Sequence, residues 1–243
     1  MIEILQWSTL AVCCAAALAR IPSAVRGENR SLFYIFVLAT LAILLSIDGP
    51  YLAIDGLLGG GNAANLILRF LIYGTVLLVG YRIARGFGAP GSIRLIVGPV
   101  GLGALAVVAV ATVLLFLLAD TSGSVTGLAT LPSRSPLNAQ LIELYAAAGR
   151  LYPAYVAACL LPATFAAVSS GLPRAIRCGA GLLSAAFAAL ALGTFYPLLP
   201  AELGPLEAFI NYVAALTLML GLLTIWIARV RTQTAPQKSS TAK

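Results

Sequence analysis

The sequence predicts an all-α membrane protein: a bundle of seven transmembrane helices, with the N-terminus outside the cell and the C-terminus in the cytoplasm. Composition is the first observation behind this prediction. Hydrophobic residues make up 60% of the 243 positions and charged residues only 9%, whereas a soluble domain carries roughly a quarter charged residues. The mean hydropathy is +0.99. So little charge does not cover a water-facing surface, and we expect a multi-pass protein of the cell membrane.

The second observation is the length of the apolar runs. A helix needs about 20 mostly apolar residues to cross the ~30 Å hydrocarbon layer, and seven runs approach this length. The first two are short, and charged residues interrupt the fifth. The predicted spans are Ile2–Ala19, Ser31–Ile47, Ala64–Ala84, Ile96–Leu118, Ala139–Leu161, Ala175–Tyr196 and Ala208–Ala228.

The third observation is the sign of the charges between the spans. Arginines and lysines follow the first, third, fifth and seventh spans, whereas the opposite side holds carboxylates and one basic residue, Arg134. Positively charged loops remain in the cytoplasm, so this alternation predicts the orientation and an odd number of spans. It also explains the net charge of +7 by contact with the anionic inner leaflet of the lipid bilayer, without a nucleic-acid partner.

The chain divides into a transmembrane domain, residues 1–230, and a polar tail, residues 231–243, which we expect to be disordered in the cytoplasm. The start has an alternative interpretation, because Ala17–Ala19 ends in the Ala-x-Ala pattern of a signal-peptide cleavage site. A signal peptide carries positive charge before its apolar core, but here Glu3 precedes the core and the arginines follow it. We therefore interpret the first run as a retained span.

Several classes of enzyme lack their essential residues in this chain. Histidine is absent, which removes the commonest general base and metal ligand, and the cysteines show no metal-ligand spacing. Asp48 and Asp55 share one loop rather than facing each other from two helices, unlike the pair of an aspartyl protease. Lys238 and Lys243 lie beyond the last span, where no retinal Schiff base forms. We expect no enzyme, no cofactor and no metal.

Two arginines fall inside predicted spans and are the main candidates for a binding site. Arg150 lies about 11 residues into the fifth span, ~16 Å deep, and Arg69 lies about six residues into the third. Buried ionisable groups cost roughly 2.5–3.5 kcal/mol to insert and normally face the bundle interior. Glu143 lies close to two helical turns before Arg150 and so shares its face, with Tyr152 nearby. These residues predict a substrate-binding polar cavity that opens outward, with the arginines as its positive floor.

The segment Ser46–Phe70 is unusually polar and glycine-rich for this chain, and two interpretations of it remain open. Its carboxylates are either solvated loop groups, or the segment folds back into the mouth of the bundle and places Asp55 near Arg69. Three consecutive glycines allow such a tight return. Asn62 or Asn65 then caps the third spanning helix.

Glycines mark the predicted contacts between helices. Lipid gives no hydrophobic drive for helix pairing, so small residues must let backbones approach. Gly98, Gly101 and Gly103 begin the fourth span, and Gly179 and Gly181 begin the sixth. We interpret these positions as ordinary packing contacts in the membrane.

The polar segment resembles part of a seven-helix family of actinobacterial membrane proteins, usually described as transporters, whose activity is not established. That family places a Pro-Tyr pair, an Asp, a Gly and an Asn between spans two and three. The matching positions here are Pro50, Tyr51, Asp55, Gly59 and Asn62. The family then has a His where this chain has Arg69, so a role that depends on that His does not carry over. The resemblance covers the bundle alone, without the cytoplasmic C-terminal domain of longer members, and implies seven helices.

We therefore expect a transporter of a small solute, and the deep arginines favour an anionic one. Spans one to three and five to seven share one orientation, which is compatible with parallel three-helix repeats around a linker helix. The alternative is a membrane sensor or regulatory component that does not transport. A separate cytoplasmic protein would then carry the output. The partners that we expect are such a cytoplasmic protein or further copies of this chain in a homo-oligomer.

Overall fold

The computed structural model describes residues 2–27, 30–128, 135–198 and 204–234, and within these ranges it contains helices and turns but no strand. A 3₁₀ segment, Gly193–Leu198, follows the eighth α-helix. The α-helices are α1 (Ile2–Val25), α2 (Arg30–Leu44), α3 (Asp48–Leu57), α4 (Ala63–Gly86), α5 (Pro90–Val97), α6 (Pro99–Leu118), α7 (Pro136–Val168), α8 (Arg174–Leu192) and α9 (Gly204–Thr234). The all-α prediction is therefore confirmed for the described residues.

Six helical segments are long and apolar enough to cross a membrane, with α5 and α6 counted together as Pro90–Leu118. A seventh is obtained only when α2 and α3, which meet at 90°, are counted as one broken span. These apolar helices agree with a membrane-embedded protein. The second predicted span is thus a 15-residue helix followed by a sharp bend, rather than one straight helix.

Three predicted boundaries differ from the structure. Helix α1 continues past Ala19 to Val25, so that Arg20 lies inside the helix and not in the following loop. Helix α7 runs through both of its internal prolines, well beyond the predicted limit at Leu161. Helix α9 continues to Thr234, into the segment that we expected to be tail. Residues 235–243 and Arg134 lie outside the described residues.

Six helices form a closed ring in which each contacts its two neighbours, in the order α1, α2, α4, α7, α8 and α9. Two contacts show that α1 and α9 are parallel. Near their starts, Gln6 Nε2 donates to Tyr212 Oη at 2.8 Å, and near their ends the guanidinium of Arg20 lies 4.8 Å from the ring centroid of Trp226. Helix α6 packs outside the ring, against α4 and α7.

The helices α4 and α7 are also parallel neighbours. Tyr145 Oη donates to Asn65 Oδ1 at 2.9 Å, and two turns further along each helix the rings of Tyr73 and Tyr152 meet edge to face, with centroids 6.0 Å apart. The units α1–α2–α4 and α7–α8–α9 therefore follow the same order around the ring and have the same directions. The two units meet at two parallel interfaces, α4–α7 and α1–α9, and α6 links them.

These directions sort the charges between the two ends of the bundle. The ends of α1, α4 and α7 lie together, with arginines in these helices or in the segments that follow them, and we call this the basic end. The opposite end, the acidic end, holds Glu3, Asp48, Asp55 and Asp120. The residues of the basic end are Arg20, Arg26, Arg30, Arg82, Arg85, Arg94, Arg174 and Arg177. Among the residues that the structure describes, the charges of the loops and helix ends therefore segregate by sign, as predicted.

Two of the predicted packing glycines have different roles. A Cβ on Gly179 would lie 3.1 Å from the carbonyl oxygen of Gly221, and one on Gly221 would lie 3.0 Å from that of Gly179. This contact between α8 and α9 is the close approach that we predicted. A Cβ on Gly98 would instead overlap the carbonyl oxygen of Arg94, so this glycine allows the turn between α5 and α6 rather than a helix–helix contact.

Candidate functional site

Arg69 lies in the parallel interface between α4 and α7. It is half-buried, and it is six residues from the first residue of α4, about 9 Å along the helix. Its guanidinium lies directly against Gly149 of α7: a Cβ on Gly149 would be 2.6 Å from Cζ and 2.8 Å from Nε. The arginine fits here only because residue 149 has no side chain.

One aromatic ring lies against this guanidinium, and two more lie further along the interface. Its Cζ lies 5.3 Å from the ring centroid of Tyr145, a cation–π contact. Tyr73, one turn after Arg69, contacts Tyr152 edge to face and shares a 2.8 Å hydrogen bond with Thr112 Oγ1 of α6. We call the set Arg69, Tyr73, Tyr145, Gly149 and Tyr152 the arginine site.

Two polar groups of the arginine site are buried without a hydrogen-bond partner among the described residues: Arg69 Nε and Tyr152 Oη. In the same ranges no carboxylate forms an ion pair with Arg69. A buried polar group without a partner costs about 1–3 kcal/mol, and a charged one costs more. Both groups therefore have unused hydrogen-bonding capacity inside the α4–α7 interface.

The structure brings together only some of the predicted site residues. Arg69 and Tyr152 both lie in the α4–α7 interface, where the ring of Tyr152 contacts Tyr73. Glu143 is exposed and lies two residues before Tyr145, about 200° around the helix, so it faces away from α4. Arg150 is half-buried and is engaged in an interaction of its own. In the described ranges no ion pair joins Glu143 to either arginine, and the shared face of Glu143 and Arg150 does not face α4.

Asp55 is completely buried, but its partners are backbone amides and a hydroxyl. Its Oδ2 accepts from Asn62 N at 3.0 Å and from Ser124 Oγ at 2.6 Å, and its Oδ1 accepts from Ala64 N at 3.1 Å. Neither of our two interpretations describes this arrangement fully. The segment does fold back, as α3, but the carboxylate caps the N-terminus of α4, where the helix dipole favours negative charge.

The loop after α6 covers the acidic end of the α4–α7 interface, and we call residues 119–128 the cover loop. Asn62, in the left-handed region at φ 58°, donates through Nδ2 to the carbonyl oxygens of Thr121 and Gly123, both at 2.6 Å. Its Oδ1 accepts from Val125 N at 2.9 Å and from Tyr51 Oη at 2.7 Å. Asn62 thus acts as a hub for the loop, and its own side chain does not cap α4.

The cover loop also bonds to the residue beside the arginine site. Asn65 donates through Nδ2 to the carbonyl oxygen of Thr126 at 3.3 Å and accepts from Tyr145 Oη. The cover loop therefore lies over the acidic end of the α4–α7 interface. The outward-opening cavity stays a prediction. A cavity of about 520 Å³ lies elsewhere, between α7 and α8, and its lining is mostly apolar.

Sequence reasoning missed the residues that complete the site. Gly149 was overlooked beside the more conspicuous Arg150, although it lies four residues after Tyr145 and so on the same face of α7. Arg20 is only 3% exposed and was expected in a loop. Trp226 could have indicated this contact from the sequence, because it lies at a similar depth in a predicted span of the same direction.

Comparisons with protein-family models, curated proteins and solved structures find no match to this chain. The resemblance to the actinobacterial family is therefore without support from relatives and stays a prediction. The fold and the site define a class only: an all-helical, membrane-embedded protein with a cationic site between two parallel helices.

Proposed function

We propose that this protein is a transporter in the cell membrane that binds a small anionic solute at the arginine site. In this proposal the α2–α3 pair is one broken span, which makes seven spans in total. The basic end faces the cytoplasm, as the positive-inside rule requires. The N-terminus and the cover loop then lie outside, and the C-terminus lies inside.

One observation carries the proposal: the Arg69 guanidinium has a buried Nε without an acceptor and no carboxylate partner among the described residues. A charged group at membrane depth normally finds a partner. Guanidinium groups bind carboxylates and phosphates through charge-assisted hydrogen bonds. An anion bound at Arg69 would give its buried Nε the acceptor that it lacks among the described residues.

The position of the site favours transport over sensing. Transporters built from parallel repeats place their substrate sites at the interface between the repeats, and the repeats move against each other during alternating access. The arginine site lies at one of the two interfaces where α1–α2–α4 meets α7–α8–α9. Relative motion of these units would change the spacing between Arg69 and Gly149.

The test is anion uptake into liposomes that contain the purified full-length protein, with a panel of small carboxylates, inorganic phosphate and sulfate. The variant is Arg69→Gln, and the matched control is Arg85→Gln, because Arg85 is exposed at the basic end and donates to Tyr81 Oη of its own helix. Removing one partner of a buried ion pair costs about 3 kcal/mol or more, so we expect a loss of roughly 100-fold or more in anion affinity. The control should retain wild-type uptake.

Two results would overturn parts of the proposal. A folded Arg69→Gln protein with wild-type uptake would remove the arginine site from the function. Wild-type protein that binds an anion at Arg69 but moves none would favour the alternative, a membrane sensor that acts through a cytoplasmic partner.

A further inference from the structure

A groove lies between α7 and α8, on the side of the bundle that faces away from α4. Six residues line it, and its volume is about 520 Å³: Leu161, Pro162, Phe165, Ser184, Ala185 and Ala188. The hydroxyl of Ser184 already donates to the carbonyl oxygen of Ala180 at 2.9 Å. The groove therefore has no unsatisfied polar side chain among its lining residues, and it suits an apolar ligand.

The shape of the groove follows from small side chains on α8 opposite larger ones on α7. The small side chains of α8 project little from the helix: Ser184, Ala185 and Ala188. On α7 the side chain of Phe165 is 70% exposed and borders the groove. A water molecule takes about 30 Å³ in the liquid, and a methylene group is of similar size. The groove of about 520 Å³ therefore has room for roughly 17 methylene groups. A lipid acyl chain fits this description.

The depth of the groove matches one leaflet of a bilayer. Its α7 residues lie three to seven positions before the last residue of that helix, Val168, and its α8 residues lie ten to fourteen positions after the first, Arg174. At 1.5 Å per residue these offsets place the groove about 5–20 Å from the basic end. Half of the hydrocarbon layer is about 15 Å thick, so the groove lies at acyl-chain depth on the basic side.

Positive charge stands at the end of the groove where a headgroup would lie. Arg174 and Arg177 are exposed at the start of α8. Arg177 lies seven residues before Ser184 and eleven before Ala188, so all three project from one face of the helix. Its Nε donates to the carbonyl oxygen of Val168 at 2.7 Å, which holds the guanidinium above the α7–α8 turn. The positive charge and the apolar lining therefore lie along the same face of α8.

We propose that this groove is a binding site for one anionic phospholipid, with an acyl chain against α7 and α8 and the headgroup phosphate at Arg174 and Arg177. The site is independent of the arginine site and does not require that the protein transports anything. Bound lipid would fill the space between two helices of the same ring unit, and it would thereby stabilise the α7–α8 pair.

The test is native mass spectrometry of the full chain in mild detergent, with equal amounts of phosphatidylglycerol and phosphatidylcholine that carry the same acyl chains. Two variants separate headgroup from chain. Arg174→Gln with Arg177→Gln removes the charge, and Ala188→Phe fills the groove. The matched control is Arg85→Gln with Arg94→Gln, which removes the same charge from exposed arginines at the same end.

We expect the wild type and the control to retain one phosphatidylglycerol with at least a tenfold preference over phosphatidylcholine. The double Arg174/Arg177 variant should lose the preference, Arg174→Lys with Arg177→Lys should restore most of it, and Ala188→Phe should lose retention of both lipids. Circular dichroism and size-exclusion chromatography verify that each variant is folded. Equal loss in the control pair, or full retention by folded Ala188→Phe protein, would overturn the site, as would a groove occupied by a protein partner instead.

Discussion

The guanidinium of Arg69 occupies the space that a side chain on residue 149 would need, since a Cβ on Gly149 would be 2.6 Å from its Cζ. The glycine and the arginine belong to different helices and different halves of the ring. Because the two residues are in such close contact, a side chain at residue 149 would push the guanidinium out from between α4 and α7 toward lipid. The pair is therefore the most direct point at which to test the arginine site.

We expect Gly149→Ala to displace Arg69 and to weaken anion binding at least tenfold, because the new methyl group and the guanidinium are not able to share the space. The control is Gly103→Ala, whose added Cβ would meet nothing within 4 Å. Anion-dependent shifts of the melting temperature of purified protein measure the effect. Equal shifts in wild type, Gly149→Ala and control would show that the guanidinium position does not matter for binding.

We expect Asp55→Asn to destabilise the acidic end by about 1–3 kcal/mol, because an amide does not replace a charged carboxylate that accepts from two backbone amides and a hydroxyl. The loss should be local. Hydrogen exchange should accelerate at the amides of Asn62 and Ala64, which Asp55 accepts from, and the cover loop should become more sensitive to protease. Glu3→Gln is the control, because Glu3 is exposed at the same end. Unchanged exchange at those two amides would contradict the capping role of Asp55.

We expect Gly179→Val to weaken the contact between α8 and α9 by about 1–3 kcal/mol, since its side chain would overlap Ile225 and the backbone of Gly221. Gly181→Ala is the matched control, because the nearest atom to its added Cβ, in Val168, would lie at an ordinary 4.0 Å. Reversible unfolding in a denaturing detergent measures the free energy of unfolding of each variant. A loss as large in the control would mean that glycine content, and not this close approach, governs stability.

We expect the acidic end to face the outside of the cell. In a background without the native cysteines, Ser122→Cys in the cover loop should react with a membrane-impermeant maleimide added to intact cells. Gly171→Cys, in the turn between α7 and α8, should react only after lysis. Both positions are exposed, so accessibility from solvent does not bias the comparison. The reverse pattern would invert the orientation that the charges predict.

Several properties of the protein were predictable from the chain because each depends on local composition. The apolar runs of α1, α4, α6, α8 and α9 were found within a few residues at most ends, and the segregation of charge was found as well. The bend between α2 and α3 was not predicted, because the glycines and aspartates of this segment suit a loop as well as a short helix. The cap at Asp55 depends on Ser124 and on the first turn of α4, and neither contact is visible in the local pattern.

By itself the sequence determined that this is an apolar, helical chain whose charges lie at two ends, because the cost of placing a residue in lipid depends mainly on that residue alone. The tertiary structure decided which helix faces meet: Arg69 with Gly149, Tyr73 with Tyr152, and Arg20 with Trp226. Helices in lipid associate by shape and by interhelical contacts, not by an apolar stripe that turns away from water. The faces of α4 and α7 therefore carry no pattern from which their pairing is readable. Only the folded ring shows that an arginine lies between them with a buried Nε that has no acceptor among the described residues.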